Sequence, residues 1–298
     1  MKTRFGVTLT FLIVAPVALS VAQAAEPAKK GKVIPKDKAK AGELLEKACA
    51  AKEMKACFDV AKLHWAGDVT GWIDWKKAWG SFEAGVNIDK KKALALHQKA
   101  CDGGAAAACY DVGIMYANGW GVPKDDAKAA QYYQKSCEGG DAPGCYGYGQ
   151  VLRMGRGIAK DEAKALQVYK KSCDGPYAPG CYKHAYMYEE ALGVAKNDAK
   201  ALPIYQKSCE HGDSGACNKV ASMYEAGQGV AKNAAKMAQF YELSCDGRSG
   251  RGCHKLAGLY QKGTGVAKDP AKANALLKKS CERGFEEACN SLKTAAAR

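Results

Sequence analysis

The chain has 298 residues, 47% of them hydrophobic, with 14 cysteines and a formal net charge of +14. Such a basic balance favours anionic partners and says nothing about fold. Beyond the N-terminal segment no run is long and apolar enough to span a bilayer, and there is no RNA- or DNA-binding signature, so neither a membrane span nor a nucleic-acid partner is expected.

At the start, Lys2 and Arg4 precede an apolar stretch from Phe5 to Leu19, and Ala22-Gln23-Ala24 follows. A charged n-region, an apolar h-region and an A-x-A site read as a secretory signal peptide over residues 1–24. Pro16 interrupts the stretch, which is short for a spanning helix. The mature chain is therefore expected in the periplasm or outside the cell. Residues 25–36 are rich in Lys, Ala and Pro without an apolar period, and read as a flexible leader. From Asp37 to the C-terminus the chain reads as one elongated body of repeats.

The cysteines set the period. They fall in pairs eight residues apart, and from Cys101 the pairs recur every 36 residues. A fixed period of this size marks a solenoid. Between Cys109 and Cys137 the chain reads as a helix A through Tyr116, a turn at Gly119-Trp120-Gly121-Val122, and a helix B from Asp126 to Cys137. Asp125, Asp161, Asn197, Asn233 and Asp269 occupy one repeat position and suit helix N-caps. Gly119, Gly155, Gly227 and Gly263 suit left-handed C-caps. One unit departs, with Ala191-Leu192-Gly193, and its turn is expected to differ. Met115, Met187, Met223 and Leu259 share a site, as do Tyr116, Tyr188, Tyr224 and Tyr260. At helical spacing these stripes read as core. The sequence predicts a lone helix B over Asp37–Cys49, six A–B units, and a last helix A from about Glu287. Pro203, inside one helix B, is expected to bend it.

The interval from Cys49 to Cys101 is 16 residues longer than the repeat. The excess, near residues 68–83, carries Trp72, Trp75, Trp79 and Phe82. Their spacing places them on one helical face, which either packs on neighbouring hairpins or anchors a partner.

An even number of cysteines in an exported chain implies a disulfide framework. Zinc sites use closer Cys spacing with further ligands nearby, and the five histidines are scattered, so no metal is expected. The end of each helix B lies near the next helix A, eight residues on, and near its own helix A, 28 residues back. The first scheme pairs every cysteine, whereas the second strands Cys49 and Cys289. The expected bridges are therefore Cys49–Cys57, Cys101–Cys109, Cys137–Cys145, Cys173–Cys181, Cys209–Cys217, Cys245–Cys253 and Cys281–Cys289. Each short loop contributes about 2.6 kcal/mol as a chain-entropy upper figure.

The unit Gly-Trp-Gly-Val-Pro-Lys-Asp-Asp-Ala-Lys-Ala-Ala-Gln-Tyr-Tyr-Gln-Lys at 119–135 resembles the Sel-one-like repeat, a relative of the tetratricopeptide repeat. With a C-x7-C in each unit, the chain is similar to the cysteine-rich secreted subgroup typified by the Helicobacter cysteine-rich proteins. The resemblance covers residues 37–298. It implies an all-α, right-handed superhelical solenoid of αα-hairpins, one disulfide per repeat, with a concave face that binds protein or peptide. It also raises a second function, since some members of the subgroup are described as penicillin-binding proteins with weak β-lactamase activity.

The residues do not announce that chemistry. A serine β-lactamase activates its nucleophile through Ser-x-x-Lys, and no serine here has a lysine three positions on. Lys293-Thr294 is followed by Ala295, so Lys-Thr-Gly is absent too. His64, His97, His184, His211 and His254 have no evident nucleophile beside them. No catalytic residue and no cofactor is expected. Two lysine rows run along the array: Lys124, Lys160, Lys196, Lys232 and Lys268, and, four residues on, Lys128, Lys164, Lys200, Lys236 and Lys272. They read as a solvated face or as a track for an acidic protein or another anionic envelope component, a glycan or lipopolysaccharide. The expected protein is a monomeric exported scaffold for a protein or peptide.

Overall fold

The computed structural model divides into Met1–Ala41 and Gly42–Arg298. It describes residues 90–296, within the second unit. The signal peptide, the leader, the first lone helix, Cys49–Cys57, His64, and the insert with Trp72, Trp75, Trp79 and Phe82 lie outside the described residues.

Among the described residues there are twelve α-helices and no strand. In chain order these are α1 (Lys90–Asp102), α2 (Ala106–Asn118), α3 (Asp126–Glu138), α4 (Ala142–Met154), α5 (Glu162–Asp174), α6 (Ala178–Glu189), α7 (Asp198–Glu210), α8 (Ser214–Ala226), α9 (Ala234–Asp246), α10 (Gly250–Lys262), α11 (Pro270–Glu282) and α12 (Glu286–Ala296). Even-numbered helices are the A helices and odd-numbered ones the B helices. Each A helix packs on the B helix that follows it and on the one that precedes it, as expected for stacked hairpins.

The caps explain where the helices begin and end. Asp125, Asp161, Asn197, Asn233 and Asp269 accept backbone N–H bonds from Lys128, Lys164, Lys200, Lys236 and Lys272 at 2.8–2.9 Å. Each cap satisfies one of the four orphan donors of a helix start, typically for about 1 kcal/mol. The A helices have their own caps at Asp141, Asp213 and Ser249. Four A helices stop at left-handed glycines, such as Gly155 at φ 67°. In the departing unit the left-handed position falls to Ala191, φ 56°, after Glu190 has ended α6. The second glycine of each turn answers to packing. At Gly229 an added Cβ would lie 2.6 Å from the Ala199 nitrogen, so the turn of one unit rests directly on the first turn of the preceding B helix.

The Met stripe forms the seam. Met115, Met187 and Met223 are fully buried, each worth about 2–5 kcal/mol against truncation to Ala. Tyr169 and Tyr205 are buried equally from the B side. Gly149 exists to admit one of them, because a Cβ there would stand 2.7 Å from the Tyr169 ring. α7 stays helical across Pro203, which lies on the exposed side beside exposed Ala199, so the carbonyl freed by the missing N–H is available to water.

Bridges Cys101–Cys109, Cys137–Cys145, Cys173–Cys181, Cys209–Cys217, Cys245–Cys253 and Cys281–Cys289 span Cα distances of 4.3–4.8 Å. Each joins the end of a B helix to the start of the next A helix. No cysteine among the described residues is free. A chain with this many bridges belongs in an oxidising compartment. Ser136, Ser172, Ser208, Ser244 and Ser280, each just before the first cysteine of a bridge, are fully buried. Ser172, Ser208, Ser244 and Ser280 donate to the first carbonyl of their own A helix, at Ala142, Ala178, Ser214 and Gly250, over 2.7–2.9 Å. These hydroxyls tie the two helices of a hairpin together.

Candidate functional site

The A helices of neighbouring hairpins touch directly, α2 with α4, α4 with α6, and α8 with α10, closer than the B helices approach one another. The array therefore curves with the A helices inside. The residue after the second cysteine of each pair points along that inner face: Tyr110, Tyr146 and Tyr182, then Asn218 and His254. Tyr146 meets Tyr177 edge-on, with ring centroids 5.5 Å apart, and Tyr177 comes up against the hydroxyl of Tyr110, two hairpins away. Each inner tyrosine also leans on the B-helix tyrosine of its own hairpin, Tyr110 on Tyr133, Tyr146 on Tyr169 and Tyr182 on Tyr205, at 5.2–6.1 Å.

One variable position, Ala117, Arg153, Glu189, Glu225 and Gln261, stands behind the B-helix residues Tyr133, Tyr169, Tyr205, Tyr241 and Leu277. This position decides what each station can do. At the first, Ala117 leaves room, and a cleft opens, bounded by Tyr110, Asp126, Tyr133, Tyr146, Gln150 and Arg156. Burial pushes the Tyr133 hydroxyl up to about 12, with Arg156 opposing.

At the second station Arg153 stands beside Tyr169. Burial pushes the Tyr169 phenol up to about 12, against the influence of Arg153. Neither the Tyr169 hydroxyl nor the Arg153 Nε has a hydrogen-bond partner at bonding distance. Lys183, on the next A helix, lies over the rings of Tyr182 and Tyr186 at 5.8 and 5.4 Å. Burial lowers its ammonium pKa, and the charge of Arg153 lowers it further.

At the third station the equivalent groups close on one another. The Tyr205 hydroxyl donates to Glu189 over 2.7 Å, Lys219 pairs with the same carboxylate at 2.5 Å, and Gln228 donates to it over 3.3 Å. Burial pushes the Glu189 carboxyl up, but the hydrogen bonds from Lys219 and Tyr205 and the Lys219 charge outweigh it and leave the pKa below its usual value. Tyr205 is raised by burial and by Glu189. The fourth station repeats the tyrosine–carboxylate bond, from Tyr241 to Glu225 at 3.1 Å.

The lysine rows are more committed than the sequence suggests. Lys124, Lys160 and Lys196 pair with Asp126, Glu162 and Asp198 at 2.8–3.9 Å. Ala234 and Pro270 take the acid's place after Lys232 and Lys268. The second row, Lys128, Lys164, Lys200, Lys236 and Lys272, lies over Tyr116, Tyr148, Tyr188, Tyr224 and Tyr260 at 4.4–5.8 Å. Cation–π contact of this exposed kind contributes about 0.5–1 kcal/mol. Among the described residues no group of His, Cys, Asp and Glu could hold a metal ion, and no helix is long and apolar enough to cross a membrane.

Sequence reasoning missed Arg153, Lys183, Glu189 and the Tyr110–Tyr146–Tyr182 row. The signal was there. Aligning the units at the 36-residue period exposes one position that changes charge inside an otherwise constant frame.

Comparison with known proteins agrees with this architecture. The Sel1 repeat model matches residues 29–52, 79–104, 106–141, 142–177, 178–213, 214–248 and 250–285. A protective antigen of uropathogenic Escherichia coli, c5321, which displays an SLR fold, is similar at TM-score 0.63 and 26% identity, covering 83% of this chain and 57% of its own. The chain thus spans little more than half of that protein. A Sel1 repeat protein from Oxalobacter formigenes is similar at TM-score 0.58 and 28% identity, over 70% of this chain and 82% of that one. Helicobacter pylori cysteine-rich protein B shares 30% identity at TM-score 0.36, over 51% of this chain and 98% of its own. A search of curated proteins finds no match. The repeated hairpins, their bridges and the matched residues together establish that the chain belongs to the Sel1 repeat family.

Proposed function

We propose that this chain is an exported Sel1 repeat scaffold whose inner face holds a protein or peptide partner. The observation that carries the reading is the continuous row of Tyr110, Tyr146 and Tyr182 on successive A helices, half-buried and with variable neighbours. Tyrosine suits such a surface because it offers a large apolar body and a polar tip at little entropic cost. Stacked hairpins present these groups at regular intervals, which matches an extended ligand. Residues 1–24 act in this reading as the export signal and 25–36 as a leader, in keeping with the oxidising compartment that the bridges require. In the same reading Trp72, Trp75, Trp79 and Phe82, outside the described residues, supply a further anchor for the partner. The recurrent serines serve packing through their bonds to the A-helix carbonyls, and so lend nothing to a β-lactam hydrolase reading.

A photocrosslinking amino acid placed at Tyr146, on the inner face, and separately at exposed Gln167, on α5, tests the proposal in the native envelope. Adducts from position 146 and none from 167 are expected. Adducts from 167 alone would overturn it.

A further inference from the structure

Arg153 and Lys183 face the same stretch of the inner surface from successive A helices, α4 and α6. Both are half-buried, and they are close enough for the charge of one to bear on the other. Neither forms an ion pair among the described residues. One repeat further on, Lys219 occupies the position of Lys183 and Glu189 that of Arg153, and there the two neutralise each other at 2.5 Å. The chain supplies its own carboxylate at one station and a second cation at the other.

Two unneutralised, partly desolvated cations are costly unless an anion joins them. The surroundings specify what kind of anion fits. Arg156, exposed and without an ion pair among the described residues, borders the cleft that Asp126, Tyr133 and Gln150 line. Three cations are thus spread over neighbouring hairpins, which suits several negative charges on one extended ligand better than a single terminal carboxylate. Between them stand Tyr110, Tyr146 and Tyr182, whose rings offer stacking and whose hydroxyls reach a backbone.

We propose that the inner face across α2, α4 and α6 is a docking groove for an extended acidic segment of a partner protein, with one Glu or Asp carboxylate seated between Arg153 and Lys183 as the ligand's counterpart of Glu189. This rests on the reading of the inner face as a peptide-binding surface and names the class of peptide. Beyond α6 the repeat position of Arg153 is held by acids, Glu189 and Glu225, so the ligand's seated carboxylate belongs at the Arg153 station.

The test uses the oxidised mature protein and a fluorescein-labelled oligo-glutamate peptide, acetylated and amidated so that only side-chain carboxylates are present. Anisotropy is expected to show saturable binding that weakens with salt. R153A together with K183A should weaken it about ten-fold or more, R153K should keep most of it, and K232A with K268A should leave it unchanged, all at near-native melting temperature. Equal affinity of the double variant for oligo-glutamate would overturn the proposal. Oligo-lysine or an uncharged tyrosine-rich peptide binding more tightly, in competition with a photocrosslinker at position 146, would overturn the acidic assignment while leaving the peptide-binding face intact. Binding to vesicles of anionic phospholipid, with none to any peptide, would overturn both.

Discussion

Two stations one repeat apart use the same frame to opposite ends. Tyr169 and Tyr205 are both fully buried, both lean on an inner tyrosine, and both have a lysine ahead on the next A helix. At Tyr205 the remaining group is Glu189, and hydroxyl, ammonium and amide converge on it. At Tyr169 it is Arg153, which acts on the phenol without coming within hydrogen-bonding distance of it. A solenoid tolerates such a reversal because each hairpin is held by its own nearest neighbours. Packing is set by the buried methionines, the turn glycines and the bridges, and one position is left free to vary in charge. The closed station satisfies its own charges, whereas the open one leaves two cations without an acid among the described residues.

The largest way to break the comparison is at the closed station. Glu189→Ala leaves Lys219 and the Tyr205 hydroxyl without their acceptor and should cost about 3 kcal/mol in urea unfolding. A loss near zero would mean the network adds nothing. Removing the bridge between α3 and α4 with Cys137→Ser and Cys145→Ser should cost about 2.6 kcal/mol at most, and unreduced peptide mapping should recover Cys137 with Cys145. Recovery of a Cys109–Cys137 peptide would instead place the bridge within a hairpin.

His184 lies on α6, between Lys183 and Glu189, and provides a probe through pH. Burial, with help from Lys170 and Lys207 and against Asp174, lowers its pKa from 6.5 to about 4. The unfolded chain therefore binds a proton that the folded chain refuses. Stability is complete above pH 6.5 and declines as the pH falls towards 4, by about 3 kcal/mol. In His184→Gln that part of the acid sensitivity should disappear; an unchanged pH profile would place it elsewhere. The smallest effect belongs to the open station, where Arg153→Ala should change stability by less than about 1 kcal/mol. A loss as large as that of Glu189→Ala would erase the distinction between the two.

Much of this was legible before any coordinates. The 36-residue period, Asp125 and its equivalents as caps, the Met stripe and the left-handed glycines all follow from local rules that repetition amplifies. The departing turn was visible too, although not that Ala191 would take the left-handed position. The inner face was harder to read. Which side of helix A faces inward depends on how hairpins stack, and Arg153 or Lys183 alone looks like any solvated cation. The lysine rows misled in the other direction, since Asp126, Glu162 and Asp198, two residues on, already neutralise three of them.

The most direct measurement converts one station into the other. Arg153→Glu places a carboxylate beside Tyr169 and Lys183, in the positions that Tyr205 and Lys219 hold around Glu189. The variant should melt at or above the wild-type temperature, by up to about 1 kcal/mol, and should lose affinity for oligo-glutamate. A variant that melts well below wild type, or that binds the acidic peptide undiminished, would contradict the account.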